Sequence, residues 1–358
     1  MRFAYDTSYS DAQQLLRYRS QWICYGALAI ALIVAPWLLP AYYVGELSYL
    51  FIVSIASLAL MVLTGFTGQV SLGHAAFMAI GAYTHTLLLD QGIGFIPSIL
   101  GAATLTGFVG FIIGLPAIRV SGLYLAMVTL AYAMLTEQII GRWKDVTGGF
   151  TGIPVSPPSL FGYDLSSLKG FYFLCLVILV AVLLGLINLM RGRTGRAFIG
   201  VRDSEAAAAT LGIWVGGYKV LAFVISAFVT GIAGALLAHH LQFLTPDGFS
   251  VMLSMELVLM VVIGGLGSLR GAIFGAILIG MLPTLISKIK PLLPTSISSQ
   301  FGLETFVFGL ILALFVMFEP NGLNGRWLKL KILFENFPLY RRNTFRRGKT
   351  YMHSERYR

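Results

Sequence analysis

The chain has 358 residues, of which 57% are apolar and 11% charged, with a formal net charge of +10 and a mean hydropathy of +0.82. Such a composition excludes an ordinary soluble domain and calls for lipid as solvent. Alternating segments of about ten residues are absent, which disfavours a closed β-barrel, so the expected class is an all-α polytopic membrane protein.

Residues 1–20 are polar and carry Asp6 and Asp11. They do not fit a cleavable signal, so they are read as a cytoplasmic segment ahead of a retained first span. Apolar runs follow at 21–43, 47–64, 71–89, 95–118, 123–140, 170–190, 218–240, 251–263, 272–289 and 302–318. Each is near the roughly 20 residues a helix needs to cross a ~30 Å hydrocarbon core. About ten transmembrane helices are therefore expected within a membrane domain at 21–320. With the N-terminus inside, twenty basic residues fall on the cytoplasmic side and five on the other, so the positive-inside rule selects an N-in, C-in arrangement. Residues 321–358 read as a basic cytoplasmic tail, with Arg341, Arg342, Arg346, Arg347 and Lys349 against anionic headgroups. No nucleic-acid-binding fold accompanies this charge, so nucleic acid is not an expected partner. Gly348-Lys349-Thr350 lacks the first glycine of a phosphate loop, Asn343 standing in its place, so an ATP motor would have to be a separate chain. Cys24 and Cys175 lie in apolar runs and read as packing, and no residue set calls for a metal or another cofactor.

Five features depart from a plain helical bundle. The first is the uncharged glycine-rich break Gly65 to His74, which includes Gly68, Gln69, Ser71 and Gly73. Glycines let a span unwind, and unwound backbone at membrane depth survives only when buried in protein or lining a wet cavity. A helix starting at Ser71 would present free amides to a carboxylate. The bland alternative is a surface turn beside a small-residue packing face of Gly73, Ala75, Ala76, Ala79 and Gly81. The second is Thr147, Gly148 and Gly149, opening an outer loop over 141–169, readable as a substrate gate or as a chain reversal.

The third is an inner loop at 191–217, where Arg202 and Asp203 precede Ser204-Glu205 and a run including Ala207 and Ala208 up to Gly212. Ser204 or Asp203 can cap a short alanine helix and Gly212 can end it, and such a helix on the cytoplasmic face reads as a docking element. The fourth is Glu256, a carboxylate within the eighth span, which either lines a cavity or reaches water near the span's outer end. The fifth is a possible internal repeat. Ser71-Leu72, with Ala75, Phe77, Ala79 and Ile80, recurs at an offset of 197 in Ser268-Leu269, with Ala272, Phe274, Ala276 and Ile277, after a second break at Gly264, Gly265 and Gly267. His74 and His85 read as packing hydrogen bonders ahead of proton relays, and His239 and His240 as interfacial.

Four segments in order, residues 65–77, 121–130, 147–149 and 262–268, together resemble the LivM-type permeases of branched-chain amino-acid ABC importers. The resemblance runs from about residue 45 to 290. It implies a bacterial inner-membrane subunit paired with a sister permease, two cytoplasmic ATPases and a periplasmic substrate-binding protein, translocating branched-chain or similar small neutral amino acids. The alanine helix resembles the ATPase-coupling loop of that superfamily, with Ala206 where a glutamate is usual and Glu205 one position early. Permeases for urea or short amides share the pattern. An ion-coupled secondary carrier is the rival from another class, and it calls for several paired intramembrane ionisable groups, where Glu256 and His74 stand out alone. A membrane enzyme would need a cluster of His, Asp or Glu ligands, which is missing.

Overall fold

A computed structural model describes residues 19–160, 163–164, 167–289, 309–310, 313, 317 and 322–336. The helices are α1 (Arg19–Leu38), α2 (Ala41–Leu60), α3 (His74–Asp90), α4 (Phe95–Gly114), α5 (Leu123–Arg142), α6 (Leu168–Arg191), α7 (Arg193–Asp203), α8 (Glu205–Thr210), α9 (Val215–Leu241), α10 (Val251–Gly264), α11 (Leu269–Ile289) and α12 (Gly322–Asn336). Seven segments among the described residues are long and apolar enough to cross a membrane. Helices stand in nine of the ten apolar runs, although α3 has only 17 residues and the apolar part of α1 is Trp22–Leu38. The tenth run, 302–318, lies mostly outside the described residues, as do 1–18 and 337–358.

Local chemistry sets the helix ends. Pro40, with φ −57°, precedes the first residue of α2 and closes off α1 two residues upstream. Ser167 caps α6, its Oγ accepting from Gly170 N at 3.2 Å. After α3 the chain turns through Gly92 at φ 81°. The strands are connectors only: β1 (Ile153–Pro154) pairs antiparallel with β4 (Phe243–Leu244), and β2 (Ser159–Leu160) with β3 (Tyr163–Asp164).

Two helices form the centre. The most apolar stretch of α2 is 89% buried and that of α9 is 72%, against 17% for α6. Lipid tails are as apolar as Leu, so burial of large side chains drives no association here, and close backbone approach takes over. The contacts follow that rule. Gly81 of α3 lies against the backbone of Gly231 on α9, and Gly234 against the carbonyl of Met78. Gly110 of α4 meets Ala227, and Gly114 meets Phe223. Large residues stand on both sides: Phe77, Tyr172 and Phe223 are fully buried, while Trp22 and Trp37 of α1, Phe108 of α4, Leu135 of α5 and Val177 of α6 point outward. Cys175 is buried as expected, whereas Cys24 sits on the exposed side of α1, a helix with few neighbours. The region read as a basic tail begins with α12, which packs on α10 and α11 through Leu323 and through Trp327, whose ring lies 5.8 Å from Phe274.

A branched side chain at Gly231 would place its Cβ 2.7 Å from Thr106 Oγ1 and 3.2 Å from Ala103 Cα. Gly231→Val is expected to destabilise the bundle by about 1–3 kcal/mol or more. Gly185→Val on α6, where nothing lies within 4 Å, is expected to be neutral. Thermal unfolding in detergent separates the two, and equal midpoints would remove the α4–α9 contact from the core.

Candidate translocation site

The first break is built by the end of α2. Past Leu60 the helix widens into a π turn over Met61–Phe66, a geometry that leaves carbonyls out of the regular ladder and recurs at functional sites. Thr67 Oγ1 donates to Leu63 O at 2.5 Å, Gln69 N to Leu63 O at 3.1 Å and Thr64 Oγ1 to Gln69 O at 3.1 Å. Gly68, at φ 72°, makes the reversal. The chain then climbs back into the protein before α3 starts at His74, three residues later than the Ser71 start that the sequence suggests.

How far it climbs is read from hydrogen bonds. His74 Nε2 lies 2.8 Å from Ser226 Oγ on α9, and Ser226 Oγ donates to Ala59 O at 2.7 Å. Ala59 is seven residues before the end of the π turn, about 10 Å along the axis. The N-terminus of α3 therefore starts inside the bundle. Hydroxyls reach this start from three directions: just before the helix Leu72 N donates to Thr129 Oγ1 of α5 at 3.0 Å and Gly73 N to Ser71 Oγ at 3.3 Å, and in its first turn Ala75 N donates to Ser254 Oγ of α10 at 2.9 Å. Ser71, His74, Thr129, Ser226 and Ser254 are all fully buried. The Ala75 amide of this terminus is thus taken, as are those of Leu72 and Gly73 just before it, because buried N–H groups in a lipid-embedded protein need acceptors from within.

The same bonds assign the histidine tautomer. Ser226 spends its proton on Ala59, so His74 must donate from Nε2, which leaves Nδ1 as an acceptor. His74 Nδ1 and Gln69 Oε1 are buried without a hydrogen-bond partner among the described residues. Packing around the terminus is tight: a Cβ on Gly73 would lie 3.0 Å from Thr129 O and 3.1 Å from Tyr132 Cδ1. The conformation is closed at this point. The two surface grooves of about 570 and 420 Å³ lie on the exposed side of α5 and its flanks, away from both breaks.

The second break meets the first. Gly265 at φ 105° and Gly267 at φ 81° turn the chain between α10 and α11, with Gly264 against the backbone of Gly271. A Cβ on Gly65 would lie 2.8 Å from Gly267 N. Ser268 Oγ accepts from Gly271 N at 3.1 Å, as Ser71 Oγ accepts from Gly73 N. Both segments have a helix, a positive-φ glycine turn, a Ser-Leu pair and a second helix, but only Ser268 bonds an amide inside the helix that follows, since α3 starts three residues beyond Ser71.

The other candidates are not brought there. Thr147 Oγ1 donates to Ile140 O and Trp143 O at 2.6 and 2.7 Å and accepts from Gly149 N, while Gly148 and Gly149 both have positive φ. This turn follows α5, whose Leu123–Arg142 run carries Thr129 thirteen residues earlier, about 20 Å away along the axis. Glu256 is half-buried, two residues from Ser254 and so on the opposite side of α10 from the Ala75 contact. One buried pair was not legible in the sequence: His85 Nε2 and His239 Nε2 are 2.8 Å apart, each with its ring 5.4 Å from Phe95. His239, two residues from the end of α9, is 7% exposed and so is buried against protein. It faces α3, and the histidine at the next position, His240, lies against Tyr49 instead.

The 191–217 loop forms α7 and α8. Ser204 Oγ accepts from Ala207 N at 3.2 Å, as a cap should. Gly212 at φ 80° ends α8, with Ile213 N donating to Ala208 O and Gly212 N to Ala209 O. Glu205 turns inward, its Oε1 2.7 Å from the buried Lys219 Nζ, and Ala208 is buried as well. Ala206, Ala207, Ala209, Leu211 and Trp214 face out. Arg202 pairs with Asp203 at 3.0 Å and donates from Nη1 to Gly65 O at 3.0 Å, which puts this loop and both breaks at one end of the bundle.

Ser254→Ala would leave the buried Ala75 amide without its acceptor, at a cost of about 1–3 kcal/mol. A lowered unfolding midpoint in detergent is expected. An unchanged midpoint would mean that α3 does not depend on α10 for its cap.

A family model described as the branched-chain amino acid transport system permease component matches residues 42–317. The chain is 35% identical over 250 residues to the high-affinity branched-chain amino acid transport system permease protein LivM of Escherichia coli strain K12, covering 63% of this chain and 59% of that protein. It is 24% identical over 282 residues to the probable branched-chain amino acid transport permease protein LivH of Methanocaldococcus jannaschii, covering 75% of this chain and 87% of that one. An autoinducer 2 import system permease protein, LsrC of an Enterobacter species, is 29% identical over 183 residues, 49% of this chain and 53% of that protein. No solved structure matches. The family match takes in α2 to α11 and with them both glycine breaks, the hydroxyl-capped start of α3 and the loop above them, and the chain belongs to the branched-chain amino acid transport system permease family.

Proposed function

We propose that the chain is the permease subunit of an ATP-driven importer in the bacterial inner membrane, carrying branched-chain or similar small neutral amino acids. A sister permease completes the channel, two cytoplasmic ATPases drive it and a periplasmic binding protein delivers the cargo. One observation carries this reading: a helix starts inside the bundle at a glycine break, directly beneath a two-helix loop whose outer side is unengaged. The breaks at Gly68 and Gly267 flank the translocation path, and neutral hydroxyls hold the α3 amides until a carboxylate replaces them. Selectivity lies mostly in the binding protein, in keeping with a related permease named for autoinducer 2 import.

The loop at 191–217 faces the cytoplasm, with both termini, and the small exposed residues of α8 seat in a groove of the ATPase. A charge at Ala207 would be buried unpaired there, at a cost of about 3–5 kcal/mol. Ala207→Asp is expected to abolish co-purification of the ATPase and uptake while the chain still inserts. Uptake at the wild-type rate by this variant, or labelling of a cysteine at 207 only from the periplasmic side, would sink the docking role.

For the path, Gly73→Val is expected to stop uptake in a complex that still assembles, since the branched chain would wedge between α3 and α5. Membrane abundance, ATPase co-purification and amino-acid uptake are the three measurements. An assembled variant that transports normally removes Gly73 from the path, and loss of the chain itself assigns the glycine to packing.

A further inference from the structure

We infer that Arg202 is a positioning residue that latches the cytoplasmic loop onto both glycine breaks, so that movement of α7 and α8 reaches the translocation path through this one side chain. The inference rests on the transport reading above and names the link within it. Arg202 is the last residue but one of α7, and its side chain runs along the seam where the breaks meet. Its Cγ is 3.1 Å from where a Cβ of Gly68 would stand, and its Nη1 is 2.8 Å from where a Cβ of Gly267 would stand. That same nitrogen donates to Gly65 O at 3.0 Å.

Each part has a physical reason. Gly65 lies in the π turn that continues α2 to its C-terminal end, where carbonyls have no partner in the helix and where the dipole favours a cation. The π turn exposes that carbonyl, and the guanidinium covers it. Asp203 Oδ1 accepts from Nε at 3.1 Å and from Nη2 at 3.0 Å, which fixes the plane of the fork and aims Nη1 inward. A lysine has one nitrogen and cannot reach both acceptors in that geometry. Any side chain at Gly68 or Gly267 would press on the arginine, so the glycines of the two breaks admit the latch as well as the turns.

A second tether keeps the loop in register. Glu205, the first residue of α8, pairs with Lys219 of α9, and Lys219 O accepts from Gln69 Nε2 of the first break at 3.4 Å. The inner side of the loop is thus bound to the breaks on both flanks, while Ala206, Ala207 and Ala209 on its outer side are exposed among the described residues. A displacement imposed from outside would carry Arg202 away from Gly65 and Gly267 together and free both turns at once.

The test uses Arg202→Ala and Arg202→Lys in the full chain, the second keeping charge and stem so that folding is preserved. Hydrogen exchange on the detergent-solubilised chain reads the latch without reference to transport: amides at 65–73 and 264–268 should exchange at least tenfold faster in both variants, with α4 and the middle of α9 unchanged. In proteoliposomes holding the complex with its co-purified ATPase, the ratio of leucine taken up to ATP hydrolysed should fall at least tenfold in both. Unchanged exchange at the breaks, or a wild-type ratio in Arg202→Lys, overturns the latch while leaving the permease reading intact. Loss of the ATPase from the Arg202→Lys complex makes Arg202 a partner contact and also overturns it. A wild-type complex that takes up no amino acid sinks the transport reading, and with it the coupling role, whatever the exchange shows.

Discussion

A helix that begins within a lipid-embedded bundle has no water for its first amides, and the arrangement of this protein follows from that constraint. The start of α3 lies about 10 Å inside the end of the π turn that follows α2 by helical rise, and three neighbouring helices reach it with Thr129, Ser226 and Ser254. These are neutral hydrogen bonds, each contributing on the order of 1 kcal/mol net, so the terminus is satisfied without being locked by charge. An ion pair at the same depth would hold the closed form more firmly and cost more to separate.

Around this terminus the helices approach closely. Gly81 and Gly234 bring α3 and α9 to backbone contact, and Gly110, Gly114 and Gly231 let α4 and α9 approach closely against Ala227, Phe223 and Thr106. The breaks use glycine for a different purpose. Gly68, Gly265 and Gly267 have positive φ and permit reversals that a β-carbon would strain. Small residues therefore fix one part of the bundle and free another, and burial alone does not separate the two uses.

The loop between α6 and α9 joins these parts to the outside. Its inner residues are committed to the bundle, Glu205 to Lys219 and Arg202 to Gly65. Its outer residues are small alanines with Leu211 and Trp214 at the edge, a surface of low relief suited to a groove. Glu205 is half-exposed, and its carboxylate reaches Lys219 of α9.

The sequence by itself determined the membrane class, the placement of nine helices, the two breaks and their Ser-Leu repeat, and the capped alanine helix ended by Gly212. Each of these is written in composition or in spacings of a few residues, where length, glycine and capping chemistry act locally. Tertiary structure alone decided that α3 starts at His74, since Leu72 finds Thr129 across 57 residues. It likewise decided that His239 is buried against His85, that Glu205 turns inward, that residues 322–336 pack as a helix, and that the two breaks touch beneath Arg202. Thr147, Gly148 and Gly149 share the glycine pattern of the breaks yet lie at the far end of α5. The physical reason is common to all of these: a buried polar group takes whichever partner the packing of distant helices brings within 3 Å, and local periodicity does not record which helix that is.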